Sequence, residues 1–233
     1  RPFGTAAEFV VLPSEQAVRL PDGTNFVAGA CLGVPAMTAH RCVFADGPVT
    51  GQTILVSGGA GAVGHYAIQL AKWGGATVIT TVSSGQKAEV AHAAGADQVI
   101  NYKSEDVAAR IKEITKGEGV DRIVEVAFAS NLAVDIAVLK GNGAIATYSS
   151  DSDNQPQLPF LPLLTKNITV HFVLVYVMSK SAHQAAIADI TTCLETGTLH
   201  HLVAQRFPLA EVAAAHQGVE SGHMIGNVVL EIN

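Results

Sequence analysis

The chain has 233 residues, of which 48% are hydrophobic and 15% charged, and it carries a net charge of −6. That supplies a sizeable apolar core, and the acidic balance speaks against the basic footprint of a nucleic-acid binder. No apolar run approaches the roughly 18 residues a bilayer-crossing helix needs, and the opening residues do not read as a secretory leader. Three cysteines (Cys31, Cys42 and Cys193), odd in number and widely spaced, read as reduced buried thiols, so the expected location is the cytoplasm.

In chain order, Ala6–Pro13 reads as a lone strand, and a helix opens near Thr38, behind Pro35. Thr53–Ser57 is a short apolar strand and Ala62–Trp73 a helix, with Gly59, Gly61 and Gly64 between and within them in a Gly-x-Gly-x-x-Gly pattern. Strand Thr77–Val82, helix Gln86–Ala94 and strand Gln98–Ile100 follow, then helix Glu105–Thr115 with Ser104 as its expected cap. Asp121–Val126, Ala144–Tyr148 and Thr169–Val175 are further apolar strands, with helix Asn131–Leu139 between the first two and a long loop over Ser149–Pro162. Val203–Phe207 and Asn227–Ile232 are strands outside the alternating block. Continuous apolar strands alternating with helices indicate a parallel sheet covered on both faces. A β/α barrel alternates in the same way; the glycine fingerprint in the first unit favours an open, doubly wound α/β sheet of Rossmann type.

Placed between strand and helix, the six residues Gly59, Ala60, Gly61, Ala62, Val63 and Gly64 suit a dinucleotide pyrophosphate. The first glycine permits a tight turn, the second admits the phosphates, and the third lets helix pack on strand. A site for NAD usually carries an Asp or Glu about 20 residues further on, which bonds the ribose 2′-OH. Here the second strand ends at Ser83 with Lys87 close behind, and the only acid between His65 and Ala96 is Glu89, inside the next helix. Small hydroxyls and a cation suit a 2′-phosphate, with Tyr102 joining them if it comes alongside, and NADPH is the expected cofactor. On spacing alone Lys87 reads equally well as a solvated helix residue.

Metal and nucleophile chemistry find little support. None of the cysteines has a near neighbour of the kind structural zinc needs, and Cys31 reads as a small buried thiol; no metal is expected. His200 and His201 follow a helix end and are expected to meet its last carbonyls or water. Ser57 lacks the Gly-x-Ser-x-Gly setting of a nucleophile elbow, and Glu125, at the carboxyl end of its strand, is expected to help position ribose or a loop. No catalytic residue is singled out.

Gly33–Ala39, Gly61 with Gly64, Gly85-Gln86-Lys87, Asn101-Tyr102, Val120–Glu125 with Asn131-Leu132, and Pro208–Ala213 with Ala215-His216 stand in an order that resembles the zeta-crystallin-type NADPH:quinone oxidoreductases. These are a zinc-free branch of the medium-chain dehydrogenase/reductases, and the resemblance covers essentially the whole chain. It implies a Rossmann NADPH domain over 31–176, flanked by parts of a mainly β, GroES-like catalytic domain at 1–30 and 177–233. Most of that second domain would lie upstream of Gly4, so the chain reads as part of a longer protein. The resemblance places Thr38 near the nicotinamide, and Ala129, Tyr148, Ser149, Ser150, Phe172 and Val173 around its ribose or carboxamide. Val34 stands about where the zinc-dependent relatives have a cysteine ligand. The implied activity is metal-free reduction of quinones or similar conjugated carbonyl compounds by a homodimer or homotetramer. An enone or enoyl-thioester reductase is the alternative, as is an NADPH-binding structural or RNA-binding protein without turnover.

Overall fold

A computed structural model describes residues 4–151 and 153–232. Six strands form one parallel sheet: β1 (Thr53–Val56), β2 (Thr77–Val82), β3 (Gln98–Asn101), β4 (Val120–Glu125), β5 (Leu139–Thr147) and β6 (Thr169–Phe172). Their spatial order is β3-β2-β1-β4-β5-β6, the doubly wound order that reverses between β1 and β4. Two further strands, β7 (Val203–Pro208) and β8 (Asn227–Glu231), pair parallel in a separate small sheet.

Because side chains alternate along a strand, each buried strand feeds two cores. Ile54, Val56 and Val78 face one side, where they meet α2 (Met37–Phe44), α3 (Ala62–Trp73) and α8 (Lys180–Glu195) through Val43, Tyr66, Leu70 and Ile190. Leu55, Ile79, Ile123 and Ile145 face the other, against α5 (Val107–Ile114) and α6 (Phe128–Val138) through Ile111, Leu132 and Ile136. Burying each such side chain contributes about 1.5–3 kcal/mol. The remaining helices are α1 (Phe26–Ala30), α4 (Gly85–Ala93), α7 (Phe160–Thr165) and α9 (Val212–Glu220). A π-helical turn, Leu32–Ala36, carries Pro35 and leads directly into α2.

The doubly wound sheet stands as the sequence predicts, with several local differences. Ala6–Pro13 forms no strand: neither sheet takes it in, and Phe9 and Val11 lie exposed. The cap of α5 is Asp106, whose carboxylate accepts from Ala109 N at 2.9 Å, while the Ser104 hydroxyl donates to the Asn101 carbonyl. The chain turns first at Asn101–Glu105, so the helix begins later than its composition suggests. Helix α6 starts at Phe128, and β5 already at Leu139, ahead of an irregular stretch in which Asn142 adopts φ 63°. Strand β6 stops at Phe172, and the expected loop over 149–162, in which Ser152 lies outside the described residues, ends early in α7. His200 and His201 bond to α3 rather than to the end of α8. Gln69 exchanges hydrogen bonds with the His200 backbone at 2.7 and 3.1 Å, and Tyr66 Oη lies 2.7 Å from His201 Nδ1.

The edge of the sheet where the strands begin is fastened by aspartates. Asp121 accepts from Thr53 N at 2.7 Å and pairs with Lys140; Asp97 accepts from Val78 N at 2.7 Å and pairs with Lys72. Beside them the buried Arg122 guanidinium pairs with Asp46, which also meets His171 at 2.8 Å. Burial works to raise the Asp46 pKa, but Arg122 and His171 outweigh it and hold the carboxyl below its ordinary value. The stabilisation is therefore present above the ordinary carboxylate range and is lost as acid protonates Asp46. Asp46→Ala leaves Arg122 enclosed without its anion and is expected to cost about 2 kcal/mol, less than a fully buried pair because water reaches Asp46. Urea denaturation at neutral pH and at steps down through the acid range checks this: the difference from the parent should shrink only once the pH falls through the lowered folded-state pKa, where Asp46 becomes protonated in both states.

Candidate functional site

The crevice at the sheet reversal is built by the loops leaving β1 and β4. After Val56 the chain turns through Gly58 at φ 71°, a left-handed conformation that suits glycine, and Gly61 N bonds back to the Gly58 carbonyl at 2.9 Å. A Cβ on Gly64 would sit 2.3 Å from the Gly58 carbonyl oxygen, and one on Gly59 2.1 Å from Thr80 Oγ1. A Cβ on Gly61 would meet protein only at 3.2 Å, so the constraint there comes from the space the loop leaves in front of it. Gly61 is the N-cap of α3 and no side chain caps that helix, leaving its first N–H groups, from Ala62, Val63 and Gly64, to point at an anion.

Two threonines of β2 hold this loop, and sequence reasoning missed both. Gly58 N donates to Thr81 Oγ1 at 3.2 Å, Gly59 N to the Thr81 carbonyl at 3.0 Å, and Thr80 Oγ1 to the Val56 carbonyl at 2.7 Å. Their one sequence signal is a pair of hydroxyls inside an otherwise aliphatic buried strand.

At the end of β2 the structure brings the three proposed phosphate residues to one place. Lys87 Nζ lies 3.1 Å from Ser83 Oγ, and Tyr102 N donates to the Val82 carbonyl at 3.1 Å, which puts Tyr102 beside Ser83. The Ser84 hydroxyl caps α4. Lys103 adds a second cation, its Nζ 5.6 Å from the Tyr102 ring centroid. Ser83 occupies the strand end where a ribose-binding carboxylate would stand.

On the other side of the crevice, the ends of β4, β5 and β6 gather Ala129, Tyr148, Ser149, Ser150, Phe172 and Val173. Phe128 N donates to the Ser149 carbonyl, Tyr148 N to the Glu125 carbonyl, and Val173 N to the Thr147 carbonyl. Ala129 lies in the first turn of α6, and Phe172 is exposed with its ring edge-on to Phe128 at 5.7 Å. The Ser150 hydroxyl turns outward to the Asp153 carbonyl at 2.6 Å. Thr38 is buried in the first turn of α2, the helix that crosses β4 and β5. Glu125 does not reach toward a ribose. Its carboxylate, 1% exposed, accepts from the Ala127 N–H and from Asn131 Nδ2 at 3.1 Å, and Asn131 Nδ2 also donates to Ser57 Oγ at 3.1 Å. The lips of β1 and β4 are thereby tied together.

Among the described residues no three His, Cys, Asp or Glu side chains converge as a metal site. Burial pushes the Cys42 thiol up to about 12, against the lowering effect of Arg122 and Arg41, so it is no thiolate. No helix among the described residues is long and apolar enough to cross a membrane.

A family model described as zinc-binding dehydrogenase matches residues 62–192. A 2-haloacrylate reductase from a Burkholderia species is 30% identical over 98% of this chain and 71% of its own length. The quinone oxidoreductase of Pongo abelii is 27% identical over 94% of this chain and 66% of its own, so the chain spans about two thirds of that relative. Among solved structures, an NAD-dependent alcohol dehydrogenase is 30% identical with a TM-score of 0.88, covering 99% of this chain and 66% of that one. The Escherichia coli quinone oxidoreductase complexed with NADPH is 27% identical with a TM-score of 0.83, covering 93% and 68%.

The glycines divide into two roles that substitution separates. Gly64→Ala presses a methyl group into the Gly58 backbone and should lower the melting temperature, by about 1–3 kcal/mol of stability. Gly61→Val should melt near the parent yet bind no dinucleotide, because its side chain enters the space the phosphates need. Differential scanning calorimetry with and without cofactor reads both; full binding by Gly61→Val would put the phosphates elsewhere.

Proposed function

The chain belongs to the zinc-binding dehydrogenase family, and within the medium-chain dehydrogenase/reductases to the zeta-crystallin-type quinone oxidoreductases; from that membership we propose an NADPH-dependent, metal-independent reductase of quinones or similar electron-poor conjugated carbonyl compounds. The observation that carries the cofactor part is the uncapped start of α3 over its glycine loop, joined to a strand end that offers Ser83 and Lys87 where a carboxylate would repel a 2′-phosphate. The glycine cradle suits a pyrophosphate: Gly61 puts no side chain in front of the uncapped N–H groups of α3. NADPH supplies a hydride equivalent.

The chain's own residues bind and orient. The N–H groups of Ala62, Val63 and Gly64, with the Gly59–Gly61 turn, hold the pyrophosphate; Ser83, Lys87 and Tyr102 hold the adenosine 2′-phosphate, with Lys103 adding charge. Thr38, Ala129, Tyr148, Ser149, Ser150, Phe172 and Val173 form the nicotinamide end. Support for metal independence lies in the residues: Val34 stands at the place of a zinc thiolate, and no His, Cys or acid cluster replaces it among the described residues. Residues 1–30 and the part of 177–233 beyond α8, with its separate β7-β8 sheet, are proposed for the substrate-side domain, while α8 itself packs on the six-stranded sheet through Ile190. The 30% identity to a 2-haloacrylate reductase favours one second reading, reduction of a conjugated carbon–carbon double bond next to a carboxylate or carbonyl. A homodimer or homotetramer is kept in the proposal, because β6 ends the sheet and leaves Phe172 and Tyr176 exposed beside it.

Lys87→Ala should weaken NADPH by one charge-assisted contact, about 1.5–3 kcal/mol, and leave NADH nearly unchanged. Isothermal calorimetry with both cofactors checks this; equal losses would assign Lys87 to the fold. In the full-length protein, exhaustive chelation should leave quinone reduction intact, and alcohol oxidation should be slight because nothing replaces a zinc-held alkoxide. Stoichiometric zinc with chelator-sensitive alcohol oxidation would replace this reading with an alcohol dehydrogenase.

A further inference from the structure

Glu125 ends β4, Asp135 lies along α6, and both are sealed at 1% exposure with their carboxyl groups facing each other. Donors gather around Glu125: the Val126 and Ala127 N–H groups, Asn131 Nδ2 and the Ser57 hydroxyl. Glu125 Oε2 and Asp135 Oδ2 are enclosed with no donor as long as both groups are ionised. No lysine, arginine or histidine among the described residues forms an ion pair or hydrogen bond with either. Two touching carboxylates without a cation repel in a poorly solvated site, whereas one proton between them satisfies both enclosed oxygens.

We propose that Glu125 and Asp135 form a one-proton acid pair that positions the two lips of the cofactor crevice, Asp135 acting through Glu125, so that dinucleotide binding depends on that proton being held. Glu125 grips the turn through the Ala127 N–H and Asn131, and Asn131 grips Ser57 at the root of the glycine loop. Loss of the last proton would leave two like charges in contact, drive them apart, and place extra negative charge behind the pyrophosphate. Burial raises both carboxyls, Asp135 well above its ordinary range, with the Glu125 charge adding to the effect on Asp135. The titratable group facing Glu125 from just past the end of β5 is Tyr148, held neutral mainly by burial, and Cys42 of α2 lies behind it as a neutral thiol. Since the folded pair keeps a proton that the unfolded chain gives up, its ordering effect is present below the pair's raised range and lost as pH rises through it.

The proposal rests on the nicotinamide-dinucleotide reading of the crevice. Its test is fluorescence titration of the full chain with NADPH from neutral to strongly alkaline pH, for the parent and Asp135→Asn. The asparagine amide keeps a donor on Glu125 but has no proton to lose. Parent affinity should fall with pH about tenfold more than that of Asp135→Asn, the factor carried by one unit of pKa difference between free and bound protein. Adenosine 2′-monophosphate, which lacks the 5′-phosphates and so does not extend to the sheet reversal, should show the same slope in both. Parallel NADPH slopes would overturn the acid pair alone; a parent that binds NADPH at no pH would remove the cofactor reading and the pair's role with it. If Asp135→Asn does not fold, calorimetry of the parent in two buffers of different ionisation enthalpy decides. Proton uptake with NADPH at alkaline pH, absent with the adenosine monophosphate, is the expected result, and no uptake overturns the proposal.

Discussion

The closeness of α3 to the loop leaving β1 is the constraint on which the rest of the molecule depends. With only 2.3 Å between a would-be Gly64 Cβ and the Gly58 oxygen, the helix axis is pressed against the strand end. That contact fixes where the first turn of α3 points, and therefore where an anion can be held. It also sets which residues of α3 enter the core: Tyr66, Ile68 and Leu70 are wholly enclosed, and α2 packs on the same helix. The position of the binding loop and the packing of one whole face of the sheet thus follow from a single absent methyl group.

The opposite lip is held by different physics. Around the β1 loop the contacts join neutral groups, threonine hydroxyls and backbone amides. Around the β4 loop they converge on a carboxylate withdrawn from water. Neutral hydrogen bonds change little with solvent conditions, while a buried acid responds to them. The crevice therefore combines one lip that is insensitive to pH with one that is not.

The sheet was legible because parallel strands buried on both faces read as unbroken apolar runs, and the glycine fingerprint names its first turn. Ser83, Lys87 and Tyr102 were legible because a missing carboxylate is itself a signal at a strand end. Contacts made across the fold were not. Thr80 and Thr81 look like ordinary β-branched strand residues until β1 is laid beside them, and Asp135 looks like a solvated helix acid until α6 is turned inward. The early start of β5 was hidden by Gly141, Asn142 and Gly143, which read as a turn and in fact carry an irregular strand. Ser104 and Asp106 are both good caps by composition, and only the course of the chain after β3 chooses between them. Ala6–Pro13 has the residues of a strand, but a strand requires a neighbour to accept it.

Asp97 and Asp121 give the sheet a mechanical polarity. Each works as a clasp, accepting from an amide among the opening residues of a neighbouring strand (Thr53 of β1, Val78 of β2) and pairing with a lysine, and both clasps lie at the edge where strands begin. Burial works to raise the Asp97 carboxyl, but Lys72 and the Val78 N–H outweigh it and hold it below its ordinary value, whereas the hydroxyl–amide ties carry no charge to lose. Acid therefore loosens the Asp97 clasp between β2 and β3 only once its lowered carboxyl takes up a proton, and that charge-dependent fastening sits at the opposite end of the strands from the glycine loop.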